Sequence, residues 1–356
     1  MKATLITALA GTAFVAAAPA KVTPRASRVK YAGINMSGFD FGCTTDGSCA
    51  LTGTNKPYNF ISGGTGLGQM NHFVKDDTLN AFRLPVGWQY LLNNNLGGQL
   101  DANNAGQYDS LVQGCLNSGA QLCILDIHNY ARWNGQIIGQ GGPTDAQLAN
   151  VWAQLATKYG SHSQIAFAIM NEPHDIPDIV RWATTVQASV TAIRQAGATN
   201  NLILLPGQNY TSAETFVSSG SAAALSAVKN PDGSITNLIM DVHKYLDSDG
   251  SGTHTECVTD NVATAFQPLA TWLRQNNRQA FLSETGGGNT ASCQQYLCSE
   301  LKFLNANSDV YLGYTSWAAG GFDSTYELDE TPTESNGQWT DTLIVSSCVV
   351  GTWKGQ

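Results

Sequence analysis

The chain is poor in charged side chains. Asp, Glu, Lys and Arg together make up 13% of its 356 residues, and the acidic ones outnumber the basic ones, so the net charge is -9 at pH 7. A sparsely charged, acidic surface repels nucleic acid and anionic membranes. We therefore expect neither nucleic acid nor a membrane as a partner. An uncharged partner, contacted through Asn, Gln, Ser and Thr side chains, suits this composition better.

Long hydrophobic runs are missing beyond the N-terminus. The first stretch, MKATLITALAGTAFVAAAPA, has one lysine, a short apolar centre and small residues at its end. This pattern is typical of a secretory signal and is too short for a membrane span. We expect residues 1–20 to be that signal, with a short pro-segment extending to about residue 28. Residues 29–356 would then form the folded domain of a secreted, extracellular protein.

Metal-binding cysteine patterns are also missing. The chain has eight cysteines, but no C-x-x-C motif and no Cys/His pair with zinc-ligand spacing, so we expect no metal and no cofactor. An even number of cysteines behind a secretory signal predicts disulfides. Eight cysteines allow on the order of 100 connectivities. Local spacing favours Cys43–Cys49 and Cys115–Cys123, and the other four would then pair as Cys257–Cys293 and Cys298–Cys348.

The sequence shows no Pro/Ser/Thr-rich linker and no internal repeat that would separate a second domain. Instead, short apolar runs alternate with helical patterns, which predicts βα units around a parallel sheet. The eight candidate strands are KYAGINMSG from Lys30, NAFRLPVGW from Asn80, QLCILDIHNY from Gln121, IAFAIMNEP from Ile165, LILLPGQ from Leu202, LIMDVHKYL from Leu238, AFLSETG from Ala280 and VYLGYTSWAAG from Val310. Eight such units predict a single α/β domain, a (β/α)8 TIM barrel stabilised by disulfides.

A doubly wound open sheet is the alternative fold, but its G-x-G-x-x-G turn is absent. The glycines of GTGLGQM, from Gly64, have the wrong spacing, so we interpret this stretch as a loop or a helix start. The clearest helical pattern begins at Pro177 and ends near Gly197. Another begins at about Asn261, where Pro268 should cause a kink or a late start.

Polar and aromatic side chains gather at the carboxyl ends of the predicted strands, where barrels of this kind place their sites. Each of them alone would more often have a structural role, but their convergence on one mouth indicates a functional site. In strand order they are Arg83, then Asp126, His128, Asn129 and Trp133, then Asn171 and Glu172, then Gln208, Asn209 and Tyr210, then His243 and Tyr245, then Glu284, then Trp317.

Glu172 and Glu284 are the strongest pair among these residues. Glycoside hydrolysis needs two carboxyl groups, one protonated to assist the leaving oxygen and one ionised to attack the anomeric carbon. A separation of about 5–5.5 Å retains the anomeric configuration, and about 6.5–9.5 Å inverts it. Arg83 and Tyr245 are candidate donors that keep the nucleophile ionised, and Asn171 is a candidate for holding the sugar 2-hydroxyl.

Aromatic residues near the same ends suit a sugar polymer. Sugar rings pack their C–H faces on aromatic rings, and Trp133 and Trp317 are the strongest candidates for this contact. Amide, imidazole and carboxylate groups would bind the hydroxyls. The mixture favours a long neutral polymer over a small anion.

Six motifs, in this order, resemble those of glycoside hydrolase family 5, and more narrowly its fungal secreted endo-β-1,4-glucanases: FRLPVGWQYL, DIHNYARWNG, IMNEPHD, DVHKYLD, LSETGGG and YTSWAAGGFDSTY. The likeness covers roughly residues 30–350. It implies a barrel that cleaves with retention, with Glu172 as the acid/base and Glu284 as the nucleophile. The resemblance assigns substrate-binding or supporting roles to Arg83, His128, Asn171, His243, Tyr245 and Trp317.

The resemblance also implies a β-glucan polysaccharide as the substrate of a monomeric enzyme. Many relatives add a cellulose-binding module, which this sequence does not show, so we expect soluble or amorphous glucan to be preferred over crystalline cellulose. The alternatives within the family are β-mannanase, xyloglucanase and β-1,3-glucanase specificities, and outside it a non-catalytic glycan-binding barrel. A serine hydrolase is disfavoured because no G-x-S-x-G motif occurs. We interpret Asp126-x-His128 and Asp241-x-His243 as sugar contacts and packing rather than as metal ligands.

Overall fold

The computed structural model describes residues 28–53 and 66–355, and the predicted secretory signal lies outside them. The barrel strands are β1 (Tyr31–Ser37), β2 (Ala81–Val86), β3 (Leu122–Ile127), β6 (Ile165–Ala168), β7 (Leu202–Pro206), β8 (Leu238–His243), β9 (Ala280–Glu284) and β10 (Tyr311–Gly320). They pair in parallel and close in the order β1-β10-β9-β8-β7-β6-β3-β2. All eight predicted strands and the predicted barrel are therefore confirmed.

Two small antiparallel hairpins lie outside the barrel. One is formed by β4 (Arg132–Trp133) and β5 (Gln136–Ile137), the other by β11 (Thr333–Ser335) and β12 (Gln338–Thr340). Their strands are two or three residues long, too short to leave a periodic signal in the sequence.

Helices connect the barrel strands. They are α1 (Gly66–Lys75), α2 (Trp88–Leu92), α3 (Asn104–Ser118), α4 (Asp145–Tyr159), α5 (Ile179–Gln195), α6 (Ser221–Ser226), α7 (Gln267–Gln275), α8 (Ala291–Ala306) and α9 (Gly351–Lys354), with π-helical turns at Val262–Phe266 and Val345–Val350. The stretch GTGLGQM is predicted to be a loop or a helix start, and its described part, from Gly66, is the start of α1. Within the described ranges, no helix combines the length and apolar character needed to cross a membrane.

Local sequence explains where two of these helices begin. Asp178 caps α5, because its carboxylate accepts the backbone N–H groups of Val180 and Arg181. Pro268, expected to cause a kink or a late start, lies in the first turn of α7, where a missing N–H is tolerated, and a π-helical turn directly precedes that helix.

The two-residue period of the strands separates two cores. On β3, Leu122 and Ile124 belong to the apolar cluster that fills the barrel, whereas Cys123 and Leu125 pack outward under the helices. The next inward position on β3 is Asp126, which is fully buried. The barrel interior therefore changes from apolar to charged toward the carboxyl ends of the strands, which is where the site is built.

Four disulfides join the cysteines in the pairs that the spacing favours: Cys43–Cys49, Cys115–Cys123, Cys257–Cys293 and Cys298–Cys348. The last two close the longest loops, with sequence separations of 36 and 50 residues. They fasten α8 at one end to the loop that follows β8 and farther along to the second π-helical turn.

Candidate active site

Glu284, the last residue of β9, is hydrogen-bonded through both carboxylate oxygens. Arg83 Nη1 donates to Oε1 over 2.5 Å, and the Tyr245 hydroxyl donates to Oε2 over 2.8 Å. Burial and the charge of Glu284 raise the pKa of Tyr245 well above its ordinary value, so the phenol keeps its proton and remains a donor. Two fixed donors therefore orient the Glu284 carboxylate.

Arg83 connects four strands of the barrel from its fully buried position on β2. Besides Glu284, it donates to Asn35 Oδ1 over 3.0 Å and to Asn171 Oδ1 over 2.7 Å, and it pairs with Asp126 over 3.0 Å. Burial alone would lower the pKa of Arg83, but the charges of Asp126 and Glu284 outweigh it and raise that pKa. The guanidinium is therefore a fixed positive charge beneath the site.

Glu172 lies opposite, just beyond the end of β6, with a left-handed backbone φ of +41°. Its side chain is 16% exposed, against 4% for that of Glu284, so it is the carboxyl group nearer to solvent. Burial and the neighbouring charge of Glu284 raise the pKa of Glu172 well above its ordinary value. Such a carboxyl group can keep a proton at a pH where an ordinary glutamate has lost it.

His243 indicates where that proton lies. Its Nε2 is 2.8 Å from Ser283 Oγ, and Ser283 Oγ in turn donates to Asp241 over 2.5 Å. With the Ser283 hydroxyl donating to Asp241, the tautomer that completes this hydrogen-bond chain carries the imidazole proton on Nε2. Burial, together with the positive charge of Arg83, lowers the pKa of His243 well below its ordinary value, so the ring is neutral. In that tautomer Nδ1, 2.8 Å from Glu172 Oε1, accepts a hydrogen bond from the protonated form of that carboxyl group.

The two carboxyl groups are close. One oxygen of Glu172, one oxygen of Glu284 and His243 Nδ1 lie within 4.8 Å of one another. The pair therefore combines, at one mouth, a carboxyl group with a raised pKa and a second carboxyl group held by two donors.

Aromatic side chains form one wall of the cleft. The Trp317 ring stacks on His128 at a centroid distance of 5.4 Å, and its indole N–H donates to the Tyr326 hydroxyl over 2.9 Å. Phe322 stacks on Tyr326 at 3.8 Å. A cavity of about 280 Å³ lies at this wall, lined among others by Asp40, Phe41, His128, Tyr130, Trp317 and Phe322.

Most of the predicted site residues converge here. The network of contacts includes Arg83, His128, Asn171, Glu172, His243, Tyr245, Glu284 and Trp317. Trp133 differs, because it is 9% exposed and packs edge-on against Trp88 in the hydrophobic core. Its contact with a sugar stays a prediction.

Three residues of the network were missed by the sequence analysis. Asn35 accepts from Arg83 and donates to the Ser283 carbonyl oxygen over 3.0 Å. Ser283 sets the tautomer of His243, and Asp40 lines the cavity. A polar residue in the middle of an apolar strand, as Asn35 is, was the one available signal.

A barrel that presents two closely spaced glutamates at the carboxyl ends of its strands, one with a raised pKa and one held by Arg83 and Tyr245, belongs by fold and site to the class of glycoside hydrolases. The model of the cellulase family, glycosyl hydrolase family 5, matches residues 36–320. The chain belongs to glycosyl hydrolase family 5.

Individual relatives agree with this assignment. The chain is 64% identical to endoglucanase EG-II of Hypocrea jecorina over 327 residues, which cover 91% of this chain and 78% of the relative. It is 46% identical to the manganese dependent endoglucanase Eg5A of Phanerodontia chrysosporium, covering 94% and 84%. The crystal structure of Cel5A (EG2) from Hypocrea jecorina superposes with a TM-score of 0.88 at 63% identity, covering 90% of this chain and 98% of that one.

Proposed function

We propose that the protein is a retaining endo-β-1,4-glucanase that hydrolyses internal bonds of cellulose and related β-glucans. The observation that carries the proposal is the approach of Glu172 and Glu284 to within 4.8 Å, with different hydrogen-bond partners. Carboxyl oxygens this close leave no room for a water molecule between the Glu284 carboxylate and the anomeric carbon, which favours retention over inversion.

The reaction then proceeds in two displacements. Glu284 attacks the anomeric carbon and forms a glycosyl ester, while Glu172 gives its proton to the departing glycosidic oxygen. Glu172, now ionised, removes a proton from water, which attacks the same carbon and releases Glu284. Arg83 and Tyr245 hold the nucleophile in place throughout, and Asn171 is positioned for the sugar 2-hydroxyl.

The β-1,4-glucan substrate is supported by the relatives. Two of them are named endoglucanases, and XacCel5A, solved in complex with cellopentaose, superposes with a TM-score of 0.77 at 32% identity. Release of reducing sugar from carboxymethylcellulose and barley β-glucan should exceed release from mannan, xyloglucan and laminarin. If activity were highest on mannan, the assigned substrate would be wrong, but the proposed mechanism would be unaffected.

We expect Glu284→Gln to lower kcat by several orders of magnitude while binding of cellopentaose persists, because the amide keeps the shape of the side chain but cannot attack. Calorimetric titration measures the binding. Glu214→Gln, at an exposed site beside Lys244, is the matched control and should keep full activity. Normal cleavage by the Glu284→Gln variant would show that the nucleophile is another group, and an α-anomeric product in an NMR time course would show inversion by direct attack of water.

We also propose that residues 1–20 are removed on secretion and that residues 29–356 act as a monomeric, extracellular catalytic barrel. The pattern of the first 20 residues and the four disulfides support an oxidising destination. Intact mass of the protein recovered from the medium tests the cleavage, and sedimentation tests the monomer.

A further inference from the structure

A second group of titratable side chains lies at the end of α1, on elements that carry neither catalytic glutamate. His72 occupies the last turn of α1, Asp76 and Asp77 follow the helix directly, and Asp341 follows β12. His72 Nε2 and one oxygen each of Asp77 and Asp341 lie within 4.8 Å of one another. The glycosidase mechanism uses none of these groups.

The imidazole ring of His72 is fixed from behind. Its Nδ1 lies 2.7 Å from Asp76 Oδ2, and the Trp339 ring stacks on it at a centroid distance of 5.3 Å and an angle of 11°. Nε2 lies 2.9 Å from Asp341 Oδ1 and 3.2 Å from Asp77 Oδ2, and a proton that it shares with Asp341 in the ion-free chain would be displaced by a bound cation. A histidine that binds a metal usually donates its other ring N–H to a carboxylate, which sets the tautomer and the ring orientation. That outer contact is already present here.

Asp77 has an unmet requirement. Its side chain is only 9% exposed, and its buried Oδ2 lies 3.2 Å from His72 Nε2 without accepting a hydrogen bond. The other oxygen, Oδ1, lies 3.6 Å from Lys354 Nζ. A buried carboxylate oxygen without a hydrogen-bond donor destabilises the folded chain. A cation between Asp77, Asp341 and His72 would satisfy it.

We infer that His72, Asp77 and Asp341 bind a divalent transition-metal cation of the Mn²⁺ or Zn²⁺ type. One imidazole nitrogen with two carboxylate oxygens is a donor set for such ions, whereas Mg²⁺ and Ca²⁺ prefer oxygen alone. Bond lengths of about 2.0–2.2 Å place neighbouring ligand atoms roughly 3 Å apart. The separations of 2.9 and 3.2 Å from Nε2 to the two oxygens fit that geometry.

Binding there would join α1 to the C-terminal part of the chain. Asp341 and Trp339 come from the β11–β12 hairpin and its exit, while His72 and Asp77 come from α1 and its exit. An ion that binds the folded chain and not the unfolded one adds its binding free energy to stability. The site would therefore cross-link two segments that are far apart in sequence, since His72 and Asp341 are separated by 269 positions.

Another cluster in the described chain provides a matched control. Asp247, Asp249 and His254 also lie close together, but the Asp247 carboxylate accepts from Ser251, Gly252, Thr253 and His254 within its own loop. It has no unmet oxygen, so we expect no ion there.

Calorimetric titration of the EDTA-treated full chain with MnCl₂ and ZnCl₂ tests the inference. We expect one equivalent of each ion to bind, with a rise in Tm, and MgCl₂ to bind at least tenfold more weakly. Mn²⁺ binding is followed independently by loss of the free-ion EPR signal. Asp77→Asn and Asp341→Asn should each weaken binding at least tenfold, and Asp76→Asn by about 10–100-fold as a lost outer contact. Asp249→Asn should leave binding unchanged.

Two results would overturn the inference. One is the absence of stoichiometric Mn²⁺ or Zn²⁺ binding to the wild-type chain. The other is binding by the Asp77→Asn and Asp341→Asn chains that is as tight as binding by the wild type. Circular dichroism and activity on soluble glucan establish that each variant is folded. If Asp341→Asn does not fold, Asp77→Asn and Asp76→Asn decide the matter by the same titration. Weakened binding in Asp249→Asn alone would assign the ion to the other cluster and also overturn the inference.

Discussion

Glu172 adopts a backbone conformation that most side chains avoid. A non-glycine residue at a φ of +41° costs on the order of 1–3 kcal/mol and persists only where its surroundings impose it. The surroundings are visible on both sides: the Asn171 N–H donates to the Ile127 carbonyl oxygen, and the Pro173 carbonyl oxygen accepts from Tyr210 N–H. The chain thus leaves β6 abruptly and presents the Glu172 carboxyl group toward Glu284.

The raised pKa of Glu172 predicts a pH-dependent loss of stability. A carboxyl group whose pKa is higher in the folded state stabilises it fully below the ordinary carboxyl pKa, and this contribution is lost as pH rises through the raised value. Glu172→Gln mimics the protonated form and cannot ionise. We expect its Tm to equal that of the wild type near pH 4 and to exceed it increasingly above neutrality, while kcat falls at least about 100-fold.

Thermal melts from pH 4 to pH 9 measure this difference. Glu214→Gln, at an exposed position, is the control and should show the same offset from wild type at every pH. A constant offset for Glu172→Gln as well would contradict a folded-state pKa above the ordinary one.

Residue roles were predictable where they follow from position along one strand. Glu172 and Glu284 end apolar runs, and the barrel rule places such ends together. Asn35 and Ser283 could not be assigned in this way, because they lie on the two strands that flank β10 and meet at a sequence separation of 248. Their function depends on which neighbour faces them, and periodicity within a strand does not contain that information.

At the scale of elements, β9 and β10 are backed by two fully buried carboxyl groups. Thr285, next to the nucleophile, donates to Glu300 on α8 over 2.7 Å. Ser316, next to Trp317, shares a hydrogen bond with Glu330. Burial raises the pKa of Glu330 to about 8 and that of Glu300 well above its ordinary value. Both carboxyl groups are therefore neutral in acid, and their ionisation at higher pH destabilises the folded protein.

Glu330→Gln should flatten the pH dependence of stability. The wild-type carboxyl group binds its proton more tightly when folded, so its contribution is complete below pH 4.5 and is lost toward pH 8. The slope from one such group is at most about 1.4 kcal/mol per pH unit. We expect urea titrations between pH 4.5 and pH 8 to show a smaller decline for the variant. Glu256→Gln, on the surface, should decline as the wild type does.

Among elements, the strong patterns were recovered and the weak ones were not. Eight apolar runs predicted eight strands because each is buried on both faces, which leaves a continuous signal. The hairpins β4–β5 and β11–β12 left none, since their short strands are held by turns. The π-helical turn Val262–Phe266 has no local signature either, and only Pro268 marked the delayed start of α7.

At the scale of the molecule, the disulfides divide by the length of chain they close. Cys43–Cys49 and Cys115–Cys123 close loops with separations of 6 and 8 residues, whereas Cys298–Cys348 closes one of 50. A cross-link stabilises mainly by restricting the unfolded chain, and the effect grows with loop length. The C-terminal bridge should therefore contribute most to global stability.

Paired alanine variants test that ranking. Loss of Cys298–Cys348 should lower the free energy of unfolding by about 4 kcal/mol, and loss of Cys115–Cys123 by about 2.5 kcal/mol. Each of these two bridges connects a helix to a neighbouring element. The packing lost around the sulfur atoms should therefore be similar in the two variants, and the difference in free energy of unfolding reports the loop length. Urea unfolding at pH 5 measures both. If the short bridge cost as much as the long one, stabilisation would come from native packing around the sulfur atoms, and the C-terminal segment would be held by its hydrogen bonds and apolar contacts rather than by its covalent closure.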